Sequence, residues 1–429
     1  MSLRFFLRTI VAYLLALLAR GILVKYRPRV VMVTGSVGKT SVKDAVAAAL
    51  GAKFHLRASE KSYNNEFGVP LTIIGAKHPW NNPTSWIRVL GEALALIFLP
   101  NHYPNLLVLE VGADRPGDMK RILDFVTPDA VVVTQLPEVP VHVAAYASPA
   151  AVREEKFFPA YALASGAPLI ISADDEYAKR LASRLPVHLT TYGFAKHADI
   201  RIEDAEASLN TAPPGMRARI VVGKSSHDIF ALGALGRHQL FAPAAALAVA
   251  CSFGMTVPEA LVGLESYISP PGRARILKGL RTSTLIDDSY NASPAAVEEA
   301  LRSLTLLPAK RRIAVLGDML ELGRYSVEEH TRIGTFAATH VDIVVGVGVR
   351  AKAIADAAFE SHKNANRALY FSSAYEAADA LKEFLQPGDV VLIKGSQVVR
   401  TERIVEALLA SADDTKYLVR QEPEWLCCK

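Results

Sequence analysis

The stretch Val30-Val31-Met32-Val33-Thr34-Gly35-Ser36-Val37-Gly38-Lys39-Thr40-Ser41 decides how the rest of the chain is read. Residues 30–33 are all apolar and mostly β-branched, as in a buried strand. A glycine turn follows, and a helix reads from about residue 40 to residue 50. Strand, glycine loop and helix in this order form a cradle for phosphate. Glycine lets the backbone turn sharply, so that its N–H groups face phosphate oxygens. The helix N-terminus adds a dipole that favours anions. In that setting the backbone of Gly35, Ser36, Val37, Gly38 and Ser41 holds the nucleotide, Lys39 reaches the β- and γ-phosphates, and the Thr40 hydroxyl binds Mg²⁺. The spacing G-x-x-G-K-T is two residues shorter than the usual phosphate loop.

Working outward, further apolar β-branched runs fall at 106–111, 130–134 and 169–172, with helical stretches between most of them. Such alternation predicts an α/β fold with a mainly parallel sheet. Pro270, Pro271 and Gly272 read as a hinge. Beyond it the alternation restarts, with strands near 285–287, 313–317, 343–347 and 390–394. The expected organisation is an apolar, basic N-terminal helix over 1–28, a central ATP-binding domain over 29–271, and a Rossmann-like α/β domain over 272–429.

The 429 residues carry a net charge of +5, which permits anionic ligands and gives no reason to expect nucleic acid. Three cysteines, Cys251, Cys427 and Cys428, offer neither a disulfide framework nor zinc spacing, as expected in a reducing cytoplasm. Adjacent Cys427 and Cys428 read as a frayed tail, lipidation being the alternative. Residues 5–24 are strongly apolar, but Arg8 and Arg20 interrupt them, leaving a clean run shorter than the ~20 residues of a membrane span. No small-residue cleavage site follows, so a signal peptide is not expected. A second apolar segment spans 86–99, with Arg88 and Glu92 on one helical face. Helices apolar on so many sides do not sit freely in water. The two are expected to pack together, leaving a basic, apolar surface for a membrane or simply filling each other's needs.

The loop is also where a resemblance begins. T-G-x-x-G-K-T is similar to the nucleotide loop of the Mur ligase family, and other matches follow in order. Asn64-Asn65-Glu66-Phe67-Gly68-Val69-Pro70 resembles the N-N-E-x-G-V-P segment of the branch that adds D-alanyl-D-alanine. Glu110-Val111-Gly112-Ala113 with Arg115-Pro116-Gly117 resembles its E-x-G-A-x-x-P-G. Asp287-Asp288-Ser289-Tyr290-Asn291-Ala292-Ser293-Pro294 resembles its D-D-S-Y-N-A-N-P, with Ser293 in place of asparagine. Gly317-Asp318-Met319-Leu320-Glu321-Leu322-Gly323 and Lys394-Gly395-Ser396 match two further motifs. No D-N-P-R motif, the mark of the diaminopimelate-adding branch, is present. The resemblance runs from about residue 30 to 410.

The resemblance implies roles for particular residues. Thr40 and Glu110 share one Mg²⁺; hard oxygen ligands suit that ion, and Glu110 ends an apolar strand where α/β sheets put ligand groups. His142 and Lys156, fourteen residues apart, serve a second ion, Lys156 as a carbamate whose oxygens replace a repelling ammonium. Read without the resemblance, His142 is a structural histidine and Lys156 a solvated helix lysine. The family's T-N-[IV]-G and H-L-E around this histidine appear here as Thr134-Gln135-Leu136-Pro137 and His142-Val143-Ala144, a remodelled loop. Gly236-Arg237-His238-Gln239 resembles G-x-H-N, with Gln239 and Ala242 where the family has asparagines, so Gln239 is the candidate contact to the base. Arg273, fifteen residues before Asp288, is expected at the γ-phosphate, with Asp288, Tyr290 and Asn291 orienting the nucleotide.

The implied reaction is ATP-dependent amide formation through an acyl phosphate, catalysed by Lys39, Lys156, Arg273 and Asp288 with two Mg²⁺ ions. The expected substrates are a muramoyl tripeptide and D-alanyl-D-alanine, used by a cytoplasmic monomer, with association at the inner face of the membrane as a further expectation. Only 33 residues precede the loop, fewer than a UDP-binding domain needs, so the uridine end of such an acceptor is expected to be held differently. Two alternatives stand beside this: an amide ligase acting on a lipid-linked or polyglutamate acceptor, and a membrane-associated P-loop NTPase or scaffold with no ligase activity.

Overall fold

The computed structural model describes residues 3–60, 62–79, 82–209, 211–364 and 367–426; Cys427 and Cys428, and the side chains of Phe5 and Phe6, lie outside what is described. The strands β1 (Arg29–Thr34), β2 (Leu56–Ala58), β3 (Leu106–Glu110), β4 (Ala130–Val133), β5 (Pro168–Ser172), β6 (His188–Gly193), β7 (Ile200–Ser208), β8 (Gly215–Val222) and β9 (Ser225–Leu232) form one sheet. Its order is β2-β3-β1-β4-β5-β6-β7-β8-β9. Neighbours are parallel as far as β7, and β7-β8-β9 form an antiparallel meander. The chain passes through residues 270–272 into a second sheet. This holds β10 (Arg275–Lys278), β11 (Thr284–Asp288), β12 (Arg311–Gly317), β13 (Ile343–Val347), β14 (Ala368–Phe371) and β15 (Asp389–Lys394) in the order β10-β11-β15-β12-β13-β14, parallel except for β10. Every strand expected from the sequence is present within two residues, because these runs are buried on both faces and so read as continuous apolar segments.

The alternation of side chains across β1 shows why. Val31 and Val33 point into one core with Val42, Val46 and the helix Phe241–Ser252; Val30 and Met32 point into the other. The first of these cores continues into the second sheet through Ile286, Ala314 and Leu316, with Val297 and Leu301 of the helix Pro294–Leu304. The far face of the second sheet is closed by the helices Ala374–Phe384 and Glu402–Leu408.

The opposite face of the first sheet carries α1 (Leu3–Tyr26), α3 (Gly68–Ile74) and α4 (Pro83–Phe98), α2 (Lys39–Gly51) being the helix after the phosphate loop. Leu15, Ala19 and Ile22 of α1 share a core with Val89, Ala93 and Leu96 of α4, so the two apolar helices pack together as expected. Lys25 Nζ donates to the carbonyls of Leu96 and Leu99 at 2.7 and 2.6 Å, closing the end of α4. One expectation is corrected. Helix α1 runs unbroken through Arg20, and its Arg8–Tyr26 stretch, 19 residues of mean hydropathy 1.6, has the length and apolar composition to cross a membrane. A long cationic side chain lays its stem along an apolar surface and does not end such a run.

Candidate active site

The phosphate loop sits between the C-terminal end of β1 and α2. Gly35 and Gly38 hold φ of 125° and 85°, and a Cβ on Gly35 would lie 2.1 Å from Thr134 Oγ1, so neither position tolerates a side chain without distortion. The loop is pinned to the end of β4, where Ser36 N donates to Gln135 O at 3.0 Å. Lys39 Nζ donates to Gly35 O at 2.9 Å, across the mouth of the loop. Burial pushes the Lys39 amine below its ordinary pKa; Glu110 and Asp114 oppose this and Arg273 adds to it.

Glu110, at the end of β3, is 1% exposed. Its Oε1 accepts from Asn64 Nδ2 at 2.9 Å, and its Oε2 is buried with no hydrogen-bond partner. A buried carboxylate oxygen without a donor is costly unless a cation meets it, and the nearby amine is Lys39. The residues present therefore fit a hard cation such as Mg²⁺, to which the Thr40 hydroxyl would offer a second oxygen. Among the described residues no three His, Cys, Asp or Glu side chains converge on a metal position, so such an ion would draw on hydroxyl and phosphate oxygens as well.

Lys156 lies on the helix Pro149–Phe157 and is 1% exposed, not solvated. Its Nζ donates to Ser36 Oγ at 3.3 Å, against the phosphate loop. Burial, then the charge of Lys39, holds its amine well below the ordinary lysine range. His142 adopts a left-handed φ of 70°, and its Nδ1 lies 3.0 Å from Glu321 Oε2 and 3.6 Å from Asp114 Oδ1. The remodelled loop thus docks on the second sheet's G-D-M-L-E-L-G segment, and Ala144 N also donates to Glu321 O. That hydrogen bond from His142 keeps Glu321 below its usual carboxylate range.

The second sheet supplies the other wall. Asp288 Oδ2 pairs with Lys394 Nζ at 2.7 Å, and its Oδ1 accepts from Ala274 N. Arg273 NH2 reaches Thr40 Oγ1 at 3.4 Å, and its guanidinium stacks 4.0 Å over the Tyr290 ring. The Tyr290 hydroxyl donates to Ser62 Oγ at 2.6 Å, and Ser62 Oγ is 3.2 Å from Thr40 Oγ1. Lys394 Nζ also donates to Asn291 O at 2.9 Å, while the Asn291 side chain caps Ala292 N. Gln239 Nε2 is 2.9 Å from His238 Nε2 and 3.5 Å from Arg273 O. Burial lowers the His238 pKa, which favours the neutral ring in that contact. A cleft between the two sheets is lined by Val37, Gly38, Gln239, Arg273, Asp288 and Lys394.

Of the residues singled out in the sequence, Val37, Gly38, Ser41, Gln239, Arg273 and Asp288 line this cleft; Thr40 and Tyr290 meet Arg273, Lys156 meets Ser36, and His142 is held by Glu321 instead. Four positioning contacts were not foreseen: Asn64 on Glu110, Glu321 on His142, Lys394 on Asp288, and Ser62 bridging Thr40 and Tyr290. Asn64, Glu321 and Lys394 stand inside quoted motifs, which is a signal of a kind; Ser62 stands in none.

Comparison with known proteins gives two family matches. Residues 33–250 match the Mur ligase middle domain, and residues 272–397 match the Mur ligase, glutamate ligase domain. UDP-N-acetylmuramoyl-tripeptide--D-alanyl-D-alanine ligase of Bacillus subtilis is 28% identical over 396 residues, 92% of this chain and 79% of that protein. The enzyme of the same name from Escherichia coli is 27% identical over 387 residues, 89% of this chain and 76% of that one. Among solved structures, MurF ligase from Thermotoga maritima in complex with ADP superposes with a TM-score of 0.76 at 26% identity, covering 92% of this chain and 83% of that one. Mycobacterium tuberculosis folylpolyglutamate synthase complexed with ADP gives 0.65 at 16% identity, covering 93% and 94%, a likeness of fold.

Proposed function

This chain belongs to the Mur ligase family, an ATP-dependent ligase family, and from that premise we propose that it joins D-alanyl-D-alanine to a muramoyl tripeptide in the making of peptidoglycan precursors. The observation that carries the reading is the unpartnered, buried Glu110 Oε2 beside Lys39, together with an Arg273 that reaches Thr40 and an Asp288 that ends β11. A phosphate loop alone would fit any NTPase. A cleft whose second wall brings its own arginine and aspartate to the loop fits a reaction that must hold a nucleotide and two further substrates at once.

In this proposal the acceptor carboxylate attacks the γ-phosphorus of ATP and ADP leaves, giving an acyl phosphate. The amine of D-alanyl-D-alanine then adds to the acyl carbon, phosphate departs and the nitrogen loses its proton. Lys39 neutralises the β- and γ-phosphates, and Arg273, whose fork stays charged, meets the developing charge on the transferred group. Asp288, held by Lys394, orients the nucleotide, with Tyr290, Asn291 and Gln239 along its length. Magnesium would supply charge neutralisation at the phosphates, one ion on Thr40 and Glu110 and a second on His142 and Lys156. Lys156 suits that duty because burial disfavours the charged ammonium: an uncharged amine adds to CO₂, loses a proton and becomes an anionic carbamate. The division of the chain at residue 271, with the nucleotide between the units, belongs to the same proposal. So do the monomeric state and a cytoplasmic enzyme whose N-terminal helix contacts the inner face of the membrane.

The test is phosphate release and product mass with Mg²⁺-ATP, D-alanyl-D-alanine and muramoyl tripeptide, with and without UDP on the acceptor. The expected result is one amide formed per phosphate released. ATP hydrolysis that yields no amide with either acceptor would sink the assignment. Lys39→Ala should abolish turnover in the same assay with circular dichroism unchanged, since its amine touches only the Gly35 carbonyl.

A further inference from the structure

Helix α1 is apolar on two opposite sides, and only one of them is used by the fold. Leu15, Ala19 and Ile22 are fully buried. At 100° per residue, Ile10, Tyr13, Leu14, Leu17 and Val24 fall on the other side, and all are exposed, Tyr13 by 69% and Val24 by 65%. Helix α4 repeats the pattern. Val89, Ala93 and Leu96 are buried, while Ile87, Leu94 and Phe98 line the opposite side, Phe98 at 77% exposure. A stripe of large apolar side chains on each of two packed helices is more than the scattered apolar residues of an ordinary surface. The charges of α1 have one sign, and α4 adds the Arg88–Glu92 pair. Helix α1 contains Arg4, Arg8, Arg20 and Lys25 and no acidic residue, and Arg27 follows it.

We propose that α1 and α4 dock this protein on the surface of an anionic phospholipid bilayer, with α1 lying in the plane of the interface. Apolar side chains enter the headgroup–acyl boundary and the exposed Arg20 and Arg27 meet the anionic headgroups, as in monotopic amphipathic helices. A second copy of the chain is the poorer occupant, because a symmetric contact would set one basic helix against another. Crossing the bilayer is also the poorer geometry, although Arg8–Tyr26 has the length for it. Strand β1 begins at Arg29, three residues after α1 ends, and Arg8 is tied to Glu66 at 3.1 Å with its guanidinium 5.1 Å over the Phe67 ring. Lifting α1 out would strip Leu15, Ala19 and Ile22 from the core they share with α3 and α4. Helix α1 is thus held on its packed side to the Asn64–Phe67 segment, whose Asn64 holds Glu110. This proposal stands apart from the identity of the acceptor, since it concerns a surface outside the cleft.

The experiment is co-sedimentation of the full chain with vesicles of phosphatidylglycerol and phosphatidylcholine, and with phosphatidylcholine alone, at low and high salt. Binding is expected to the anionic vesicles, weakening at high salt. Leu17→Glu and Phe98→Glu should each weaken it at least tenfold, and Arg20→Glu about fivefold or more, near the value of one interfacial cation. ATP turnover in vesicle-free buffer should be unchanged in all three, which shows that they fold. Binding to neither vesicle, equal binding to both, or variants that bind like the parent would overturn the proposal. Resistance to an alkaline carbonate wash would overturn the in-plane geometry in favour of a span. Concentration-dependent dimerisation lost in Leu17→Glu, with no vesicle binding, would assign the face to a second copy.

Discussion

Replacing Lys394 by methionine removes the ammonium that partners Asp288 and keeps most of the side-chain volume. Lys394 is 3% exposed and Asp288 6%, and their 2.7 Å contact leaves Asp288 with one other donor, Ala274 N. Removing one member of a buried pair strands the other charge, at a cost of about 3–5 kcal/mol. For an α/β unit of roughly 150–250 residues each kcal/mol moves the melting temperature by about 2–4 °C, so the variant should melt about 6–20 °C lower. The pair itself contributes far less than that. Lys394→Met combined with Asp288→Asn leaves no stranded charge and should recover more than half of the loss. Scanning calorimetry of the parent, both single variants and the double variant closes the cycle. A loss under about 1 kcal/mol in Lys394→Met, or a double variant no more stable than that single one, would refute the claim that Asp288 depends on Lys394 as its partner.

Three further outcomes follow from the site. Lys156→Ala should cut ligation at least a hundredfold and regain part of it with millimolar acetate or propionate, whose carboxylates stand in for the carbamate; full activity without such rescue would remove Lys156 from the mechanism. Burial pushes the Asp287 carboxyl up to about 6 from 3.8. Between those values the folded chain holds a proton that the unfolded chain has released, so stability falls as pH rises through that window, by about 3 kcal/mol. Asp287→Asn keeps the Oδ1 that accepts from Ser289, so it should be the more stable form at pH 7.5, with the advantage gone below about pH 4; equal stability at pH 7.5 would contradict the assignment. Arg420, buried on Glu402 at 2.7 Å and on the carbonyls of Ser289 and Tyr290, clamps the turn after Asp288. Arg420→Ala should cost about 3 kcal/mol in denaturant unfolding and raise the KM for ATP, and a KM left unchanged would separate the clamp from the nucleotide.

What the sequence by itself determined was local. Residues 30–41 specify strand, loop and helix because glycines at 35 and 38 and the lysine at 39 are needed by the backbone path and the phosphate alike. The parallel sheets were legible for a similar reason, since strands buried on both faces must be apolar throughout. The packing of α1 on α4 could be read because helices so apolar need cover. The order of short motifs carried the family, which no single spacing does. What only the tertiary structure decided is how distant segments meet. Taken alone, Lys156 in a charged run reads as a solvated residue. It is buried because the helix Pro149–Phe157 lays it against Ser36, 120 residues earlier. The remodelled loop at His142 gave no hint that its partner is Glu321, nor did Ser62 announce that it joins Thr40 to Tyr290 across the two sheets. These contacts depend on how two separately folded sheets face one another, and side-chain periodicity reports only whether a residue is buried. Which of α1's two apolar sides the core would take was likewise unwritten in its composition, and the side left over is the one that now points to a membrane.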